Sequence, residues 1–135
     1  IPMHSSEWSS ILFNFYTNSK KAIYRKGEKG VIGIECGVSE KMIYLEFSDN
    51  GVGIPEEYEE RIFDEFFTTT SAMNYEDIDS VNAVLGTGLG LKIVKDIVDS
   101  YRGRIFVSSP KNQFNTCIRV EIPMLNDKDF EKYGL

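Results

Sequence analysis

The sequence predicts an α+β fold, and three observations carry the prediction. Helical periodicity is confined to the opening stretch and to residues 91–101. Two pairs of alternating segments, around 31–48 and 104–122, read as strands. Two glycine-spaced segments, Asp49-Asn50-Gly51-Val52-Gly53 and Gly86-Thr87-Gly88-Leu89-Gly90-Leu91, suit neither element. Each glycine costs about 1 kcal/mol against alanine in a helix, and in a strand it brings no side chain to pack.

A chain of 135 residues is long enough for one domain with one core. Its 21 acidic and 15 basic residues give a net charge of −6, which disfavours nucleic acid or an anionic membrane as a partner. No apolar run approaches the ~18 residues of a membrane span, and no charged-then-apolar leader is present. Cys36 and Cys117 lie far apart without a Cys–His cluster around them. They are expected to be small buried apolar residues of a reducing compartment rather than a disulfide.

The first helix is expected from about Glu7 to Arg25, with Ser5 or Ser6 as N-cap and Gly27 after its end. Trp8, Ile11, Leu12, Phe15, Tyr16, Ala22 and Ile23 form its apolar face. At ~100° per residue, Asn14, Asn18, Lys21 and Arg25 fall in one row along the border of that face. Polar groups there would be costly if buried unpaired, and a polar ligand would satisfy them. Residues 31–38 and 42–48 read as an antiparallel hairpin across Ser39-Glu40-Lys41. Asp49 ends the second strand, a position suited to a carboxylate accepting a ligand amine. Gly51 and Gly53, followed by Ile54 and Pro55, let the backbone turn and let a flat ligand approach. Taken alone, this segment also reads as an ordinary Asp-Asn-Gly turn.

Pro55-Glu56-Glu57 starts a short helix ending near Phe63, and the aromatics Phe63, Phe66 and Phe67 are expected as core anchors. Residues 70–85 have the length and polarity of a lid or binding loop. They lead into Gly86–Gly90 and then a helix bearing Leu91, Ile93, Val94, Ile97 and Val98. A glycine segment entering a helix N-terminus offers free N–H groups and the positive dipole end, a site for phosphate. Gly103 is the expected C-terminal cap. Residues 104–109 and 116–122 read as the last strands, closed by Pro123, and 126–135 as a short docked helix or a frayed end.

The ordered set Asn14-x-x-x-Asn18-x-x-Lys21, Asp49-x-Gly51-x-Gly53, the Phe63–Phe67 aromatic box and Gly86-x-Gly88-x-Gly90 resembles the catalytic and ATP-binding domain of sensor histidine kinases. That domain belongs to the superfamily of gyrase, heat-shock chaperone and mismatch-repair ATPases, the Bergerat fold. The resemblance implies a two-layer α+β sandwich, with a mixed, mostly antiparallel sheet of about five strands on about three helices. It implies an ATP-binding catalytic domain over residues 1–125 and a tail over 126–135. Asp49 would accept the adenine amino group, Gly53 would let adenine lie against backbone, and Thr116 would join the adenine hydrogen bonds. Asn115 replaces the family's glycine and is expected to tolerate left-handed geometry. Asn18 would be the Mg²⁺ ligand, with Asn14 and Lys21 at the reacting phosphates. Gly51 and Ile54 would line the base pocket, and Gly86, Thr87, Gly88, Leu89, Gly90 and Leu91 the triphosphate. The implied partners are ATP, a separate dimerisation domain carrying the phosphoacceptor histidine and, indirectly, a response regulator. Nucleic acid is not among them, and the isolated domain is expected to be monomeric. The implied location is cytoplasmic, in a parent protein open to membrane anchoring.

Asn14 stands where the superfamily's hydrolases carry a glutamate that activates water, and a carboxamide is no general base. A hydrolase, a serine kinase or a nucleotide sensor without phosphotransfer are the alternatives. His4, ten residues before Asn14, lies too close to the site to be the phosphoacceptor. Ala22 replaces an aromatic often found after the family's lysine, and Thr70 stands where lysine is often found. No Lys or Arg occurs between Thr68 and Leu91, so Arg25, one turn beyond Lys21, is expected to supply positive charge in compensation.

Overall fold

The computed structural model describes residues 3–64, 90–124 and 126–135. In chain order the elements are helix α1 (Ser5–Lys26), strands β1 (Ile32–Ser39) and β2 (Met42–Asp49), and two 3-10 turns (Glu56–Tyr58 and Arg61–Phe63). Helix α2 (Gly90–Ser100), strands β3 (Arg104–Ser108) and β4 (Thr116–Pro123), and the short helix α3 (Asp127–Tyr133) follow. The described strands form one sheet of four, ordered β1-β2-β4-β3. Every neighbouring pair is antiparallel. The two-layer α+β architecture is as expected, with one strand fewer among the described residues and no parallel pair.

Alternation along the strands decides the layers. Leu45 and Phe47 of β2 and Ile118, Val120 and Ile122 of β4 share the helix-side face and join Ile11, Phe15, Val94 and Val98 in one buried cluster. The Phe15 and Phe47 rings meet at 5.4 Å between centroids. The opposite face is polar. Arg119 bonds Glu121 at 3.0 Å and lies 3.6 Å from Glu46, with its guanidinium over the Tyr44 ring.

Helix α1 buries a narrower stripe than its apolar pattern suggests. Ile11, Phe15 and Ser19, spaced four apart, are its buried residues, whereas Leu12 and Tyr16 are exposed. The helix rests over β2, and β1 is the edge strand of the described sheet. Cys36, on that edge strand and expected buried, is exposed, while Cys117 is buried, and both are free thiols. The N-cap of α1 is His4 rather than a serine. Its backbone N–H donates to Glu7 Oε1 at 3.2 Å, and its Nε2 donates to the Tyr133 carbonyl at 2.9 Å. With the Tyr101–Tyr133 ring contact at 4.6 Å, this seats α3 on the domain.

The end of α2 also departs from expectation. Arg102, at φ 60°, is the left-handed residue, and Gly103 donates to Val98 O at 3.0 Å while Arg102 donates to Asp99 O. This pair of bonds is a Schellman motif. Gly103 is needed for closeness instead, since a Cβ there would lie 2.4 Å from Glu121 O of β4. Gly103→Ala is therefore expected to destabilise the fold by about 1–3 kcal/mol, the usual cost of overpacking, read as a lowered denaturant midpoint.

Candidate functional site

Asp49 is the last residue of β2, flanked in register by Ile32 of β1 and Thr116 of β4. Alternation places its side chain on the helix-side face, and it is only 3% exposed. A buried carboxylate needs donors. Oδ2 accepts from the Ser19 hydroxyl at 2.8 Å and Oδ1 from the Gly51 N–H at 2.8 Å. Burial pushes the carboxyl above its ordinary range, and the Ser19 and Gly51 donors oppose that rise.

The turn after Asp49 is strapped on both sides. Val52 N donates to Ala22 O of α1 at 3.1 Å, and a Cβ on Gly51 would meet the Ala22 carbonyl carbon at 2.5 Å. Gly51 thus lets helix and turn touch, where the sequence suggested room for a flat ligand. Gly53, at φ +83°, sits over Asn115 O. Asn115 Nδ2 donates to Gly51 O at 3.0 Å and to Asn50 O at 3.2 Å, and its backbone N–H donates to Asp49 O at 2.9 Å. Asn115 holds the turn with its carboxamide and is not left-handed; Asn112, at φ 55°, is. The Asn50 carboxamide bonds Lys29 O and Val31 N, both at 2.8 Å.

The polar row of α1 has three distinct environments. Asn14 Nδ2 donates to Ser10 O at 2.8 Å, and a Cβ on Gly90 would lie 2.7 Å from Asn14 Oδ1, so the start of α2 abuts this side chain. Asn18 Nδ2 is buried without a hydrogen-bond partner among the described residues, as is Thr116 Oγ1 beside Asp49. Burial, and then the charge of Arg25, lower the Lys21 pKa to about 8. Burial lowers that of Arg25 as well. A cleft of ≈ 620 Å³ opens beside this row, lined by Arg25, Lys26, Val52, Gly53, Ile54, Pro55, Tyr58 and Asn115.

The fold therefore gathers Asp49, Gly51, Gly53, Ile54 and Thr116 at one end of the sheet, against the C-terminal half of α1. Asn14 meets Gly90 further along the same helix. Leu91 packs its side chain against the core. Phe66 and Phe67, the expected lid over residues 70–85, and Gly86, Thr87, Gly88 and Leu89 of the expected phosphate segment lie outside the described residues. Two contributors escaped the sequence reading. Ser19 continues the buried spacing of Ile11 and Phe15, which is the signal that pointed to it. Ala22 acts through its backbone, for which sequence gives no signal.

The family model described as histidine kinase-, DNA gyrase B-, and HSP90-like ATPase matches residues 4–126, and the chain belongs to this family. It is similar to sensor protein kinase WalK of Staphylococcus haemolyticus, 33% identical over 130 residues, covering 92% of this chain and 19% of that protein. The chain thus spans about a fifth of that relative's length. Among solved structures it is similar to the mycobacterial sensor histidine kinase MprB, with a TM-score of 0.67 and 26% identity over 90% of this chain and 72% of that one. The catalytic domain of histidine kinase ThkA gives a TM-score of 0.65 and 29% identity, covering 88% and 68%.

Asp49 holds its proton more tightly folded than unfolded, so stability falls as pH rises from the ordinary 3.8 through the raised value. Asp49→Asn removes that buried charge. Its Tm at pH 7 is expected to equal or exceed that of the unmodified chain, with the gap closing as pH falls through the carboxylate range, as thermal melts across pH would show.

Proposed function

We propose that the chain is the ATP-binding catalytic domain of a sensor histidine kinase, spanning residues 1–125, with 126–135 as a tail. It binds ATP with Mg²⁺ and positions the γ-phosphate for transfer to a histidine on a separate dimerisation domain, from which a response regulator would be served. ATP as substrate makes this a cytoplasmic domain; among the described residues no helix is long and apolar enough to cross a membrane. The observation that carries the reading is the buried Asp49 carboxylate, anchored by Ser19 and Gly51 and paired in register with the buried Thr116. Such a pair reads a purine amino group, since an ionised carboxylate only accepts.

The residues present suit the remaining parts. The Asn18 Nδ2 is buried without a hydrogen-bond partner among the described residues and suits a phosphate oxygen, while the oxygen of the same carboxamide is a hard donor of the kind Mg²⁺ takes one at a time alongside phosphates and water. Among the described residues no three His, Cys, Asp or Glu side chains converge, so an ion held by Asn18 would draw its other ligands from phosphate and water. Bound Mg²⁺ would neutralise charge on the phosphates. Lys21 and Arg25 add positive charge along the same row. Gly86, Thr87, Gly88, Leu89 and Gly90 would present backbone N–H groups to the triphosphate. Asn14, with its amide committed to Ser10 O, provides no base to activate water. The domain therefore positions ATP and stabilises developing charge, the main work of phosphoryl transfer.

Calorimetric titration with ATP and GTP, each with and without Mg²⁺, tests the reading. Mg²⁺-dependent binding that favours ATP is expected, and equal affinity for the two bases would overturn it. Phosphate transfer from ATP to an added dimerisation-domain fragment is expected to exceed phosphate release to water.

Lys21 gives a second check. Its lowered pKa, about 8, means the amine must take up a proton to meet phosphate at higher pH. ATP affinity is expected to fall by up to about tenfold per pH unit above about pH 8, with proton uptake visible as buffer-dependent binding enthalpy. Lys21→Met is expected to lower affinity at pH 7 and to flatten that dependence.

A further inference from the structure

Serine inside a helix ordinarily returns its hydroxyl to the carbonyl four residues earlier. Thr17 does so here, donating to Phe13 O at 2.8 Å. Ser19 does not. It is 3% exposed, in the buried row below Ile11 and Phe15, where an alanine would pack and favour the helix. Its proton goes instead to Asp49 Oδ2, thirty residues on. A hydroxyl has a single proton to give, so this commitment is complete.

We propose that Ser19 is a positioning residue for base discrimination, holding Asp49 in one rotamer and in its acceptor-only form so that the pocket admits a purine edge bearing an amino group and rejects one bearing a carbonyl. The inference rests on the nucleotide reading of the site and deepens it. A carboxylate has about four acceptor positions. Ser19 and the Gly51 N–H occupy one on each oxygen, which fixes the plane of the group and leaves the others for a ligand donor. A protonated Asp49 would carry an O–H donor and accept guanine's carbonyl as a partner. Burial pushes the group toward that form, and Ser19 and Gly51 push back. The groups acting on the carboxylate are the Ser19 hydroxyl from α1, the Gly51 N–H from the turn and the Thr116 hydroxyl from β4, none of them charged. Of the hydrogen bonds that reach the carboxylate at 2.8 Å, the one from Ser19 belongs to a side chain and can be removed by substitution.

Ser19→Ala, which improves helix propensity, is expected to fold, with a Tm that matches the unmodified chain at acid pH and falls below it at pH 7, where the lost donor leaves the carboxylate less stabilised. Carbon-detected NMR titration of the Asp49 carboxyl without nucleotide is expected to show its pKa rising by about one unit, as loss of a donor to the charged form implies. The ratio of GTP to ATP dissociation constants, taken at each pH so that nucleotide titration largely cancels, is expected to drop about tenfold in the variant at the acid end, with a smaller loss at pH 8. Ser19→Thr, which keeps the hydroxyl, is expected to restore both. If the unmodified chain discriminates while Ser19→Ala leaves the titration and the ratio in place, or loses both nucleotides equally at every pH, the inference is wrong and the nucleotide reading stands. If the unmodified chain binds neither nucleotide, the nucleotide reading fails and takes this inference with it.

Discussion

The site depends on a charge kept where charge is expensive. Asp49 is buried at the end of a central strand, and one hydroxyl and one backbone N–H oppose the rise in pKa that burial causes. Those two donors come from different parts of the chain, α1 and the turn after β2. Satisfying the carboxylate therefore ties helix to sheet as well as shaping a pocket. Burial without donors would favour the neutral acid, which would alter what the pocket recognises.

Around that carboxylate the backbone is held more firmly than a glycine-containing turn would suggest. Gly51 presses on Ala22, Asn115 holds the Asn50 and Gly51 carbonyls, and the Asn50 carboxamide reaches Lys29 and Val31. Most of these contacts are backbone bonds or short carboxamide bridges, which lose little side-chain entropy when they form. A pocket wall built this way is preorganised, and less of a ligand's binding energy goes into ordering it.

Charge on the chain runs against the overall balance at this site. The net charge is −6, yet Arg25 lines the cleft and lies close enough to Lys21 for its charge to act on that amine, each with its proton loosened by burial. Two cations held close and partly desolvated favour an anion between them. Asn18 Nδ2, buried without a hydrogen-bond partner among the described residues, points the same way, since a phosphate-bearing ligand would satisfy it.

Periodicity and turn chemistry, which are local, were legible in the sequence. The helix over 5–26, the hairpin, the last two strands and the alignment of Asn14, Asn18 and Lys21 on one helix face all follow from spacing. So does the place of Asp49 at a strand end, and the ordered motifs named the family. Tertiary packing decided the rest. A helix resting on one sheet buries only the row that touches it, so Leu12 and Tyr16 stayed outside and Ser19 went in. Cys36 stayed exposed on β1, the edge strand of the described sheet. Gly51 and Gly103 proved to serve close approach by segments far away in the chain, and Arg102 took the left-handed position that glycine was expected to fill. Whether a serine bonds its own helix or a carboxylate thirty residues on depends on which atoms the fold brings within three ångströms, and local sequence carries no record of that distance.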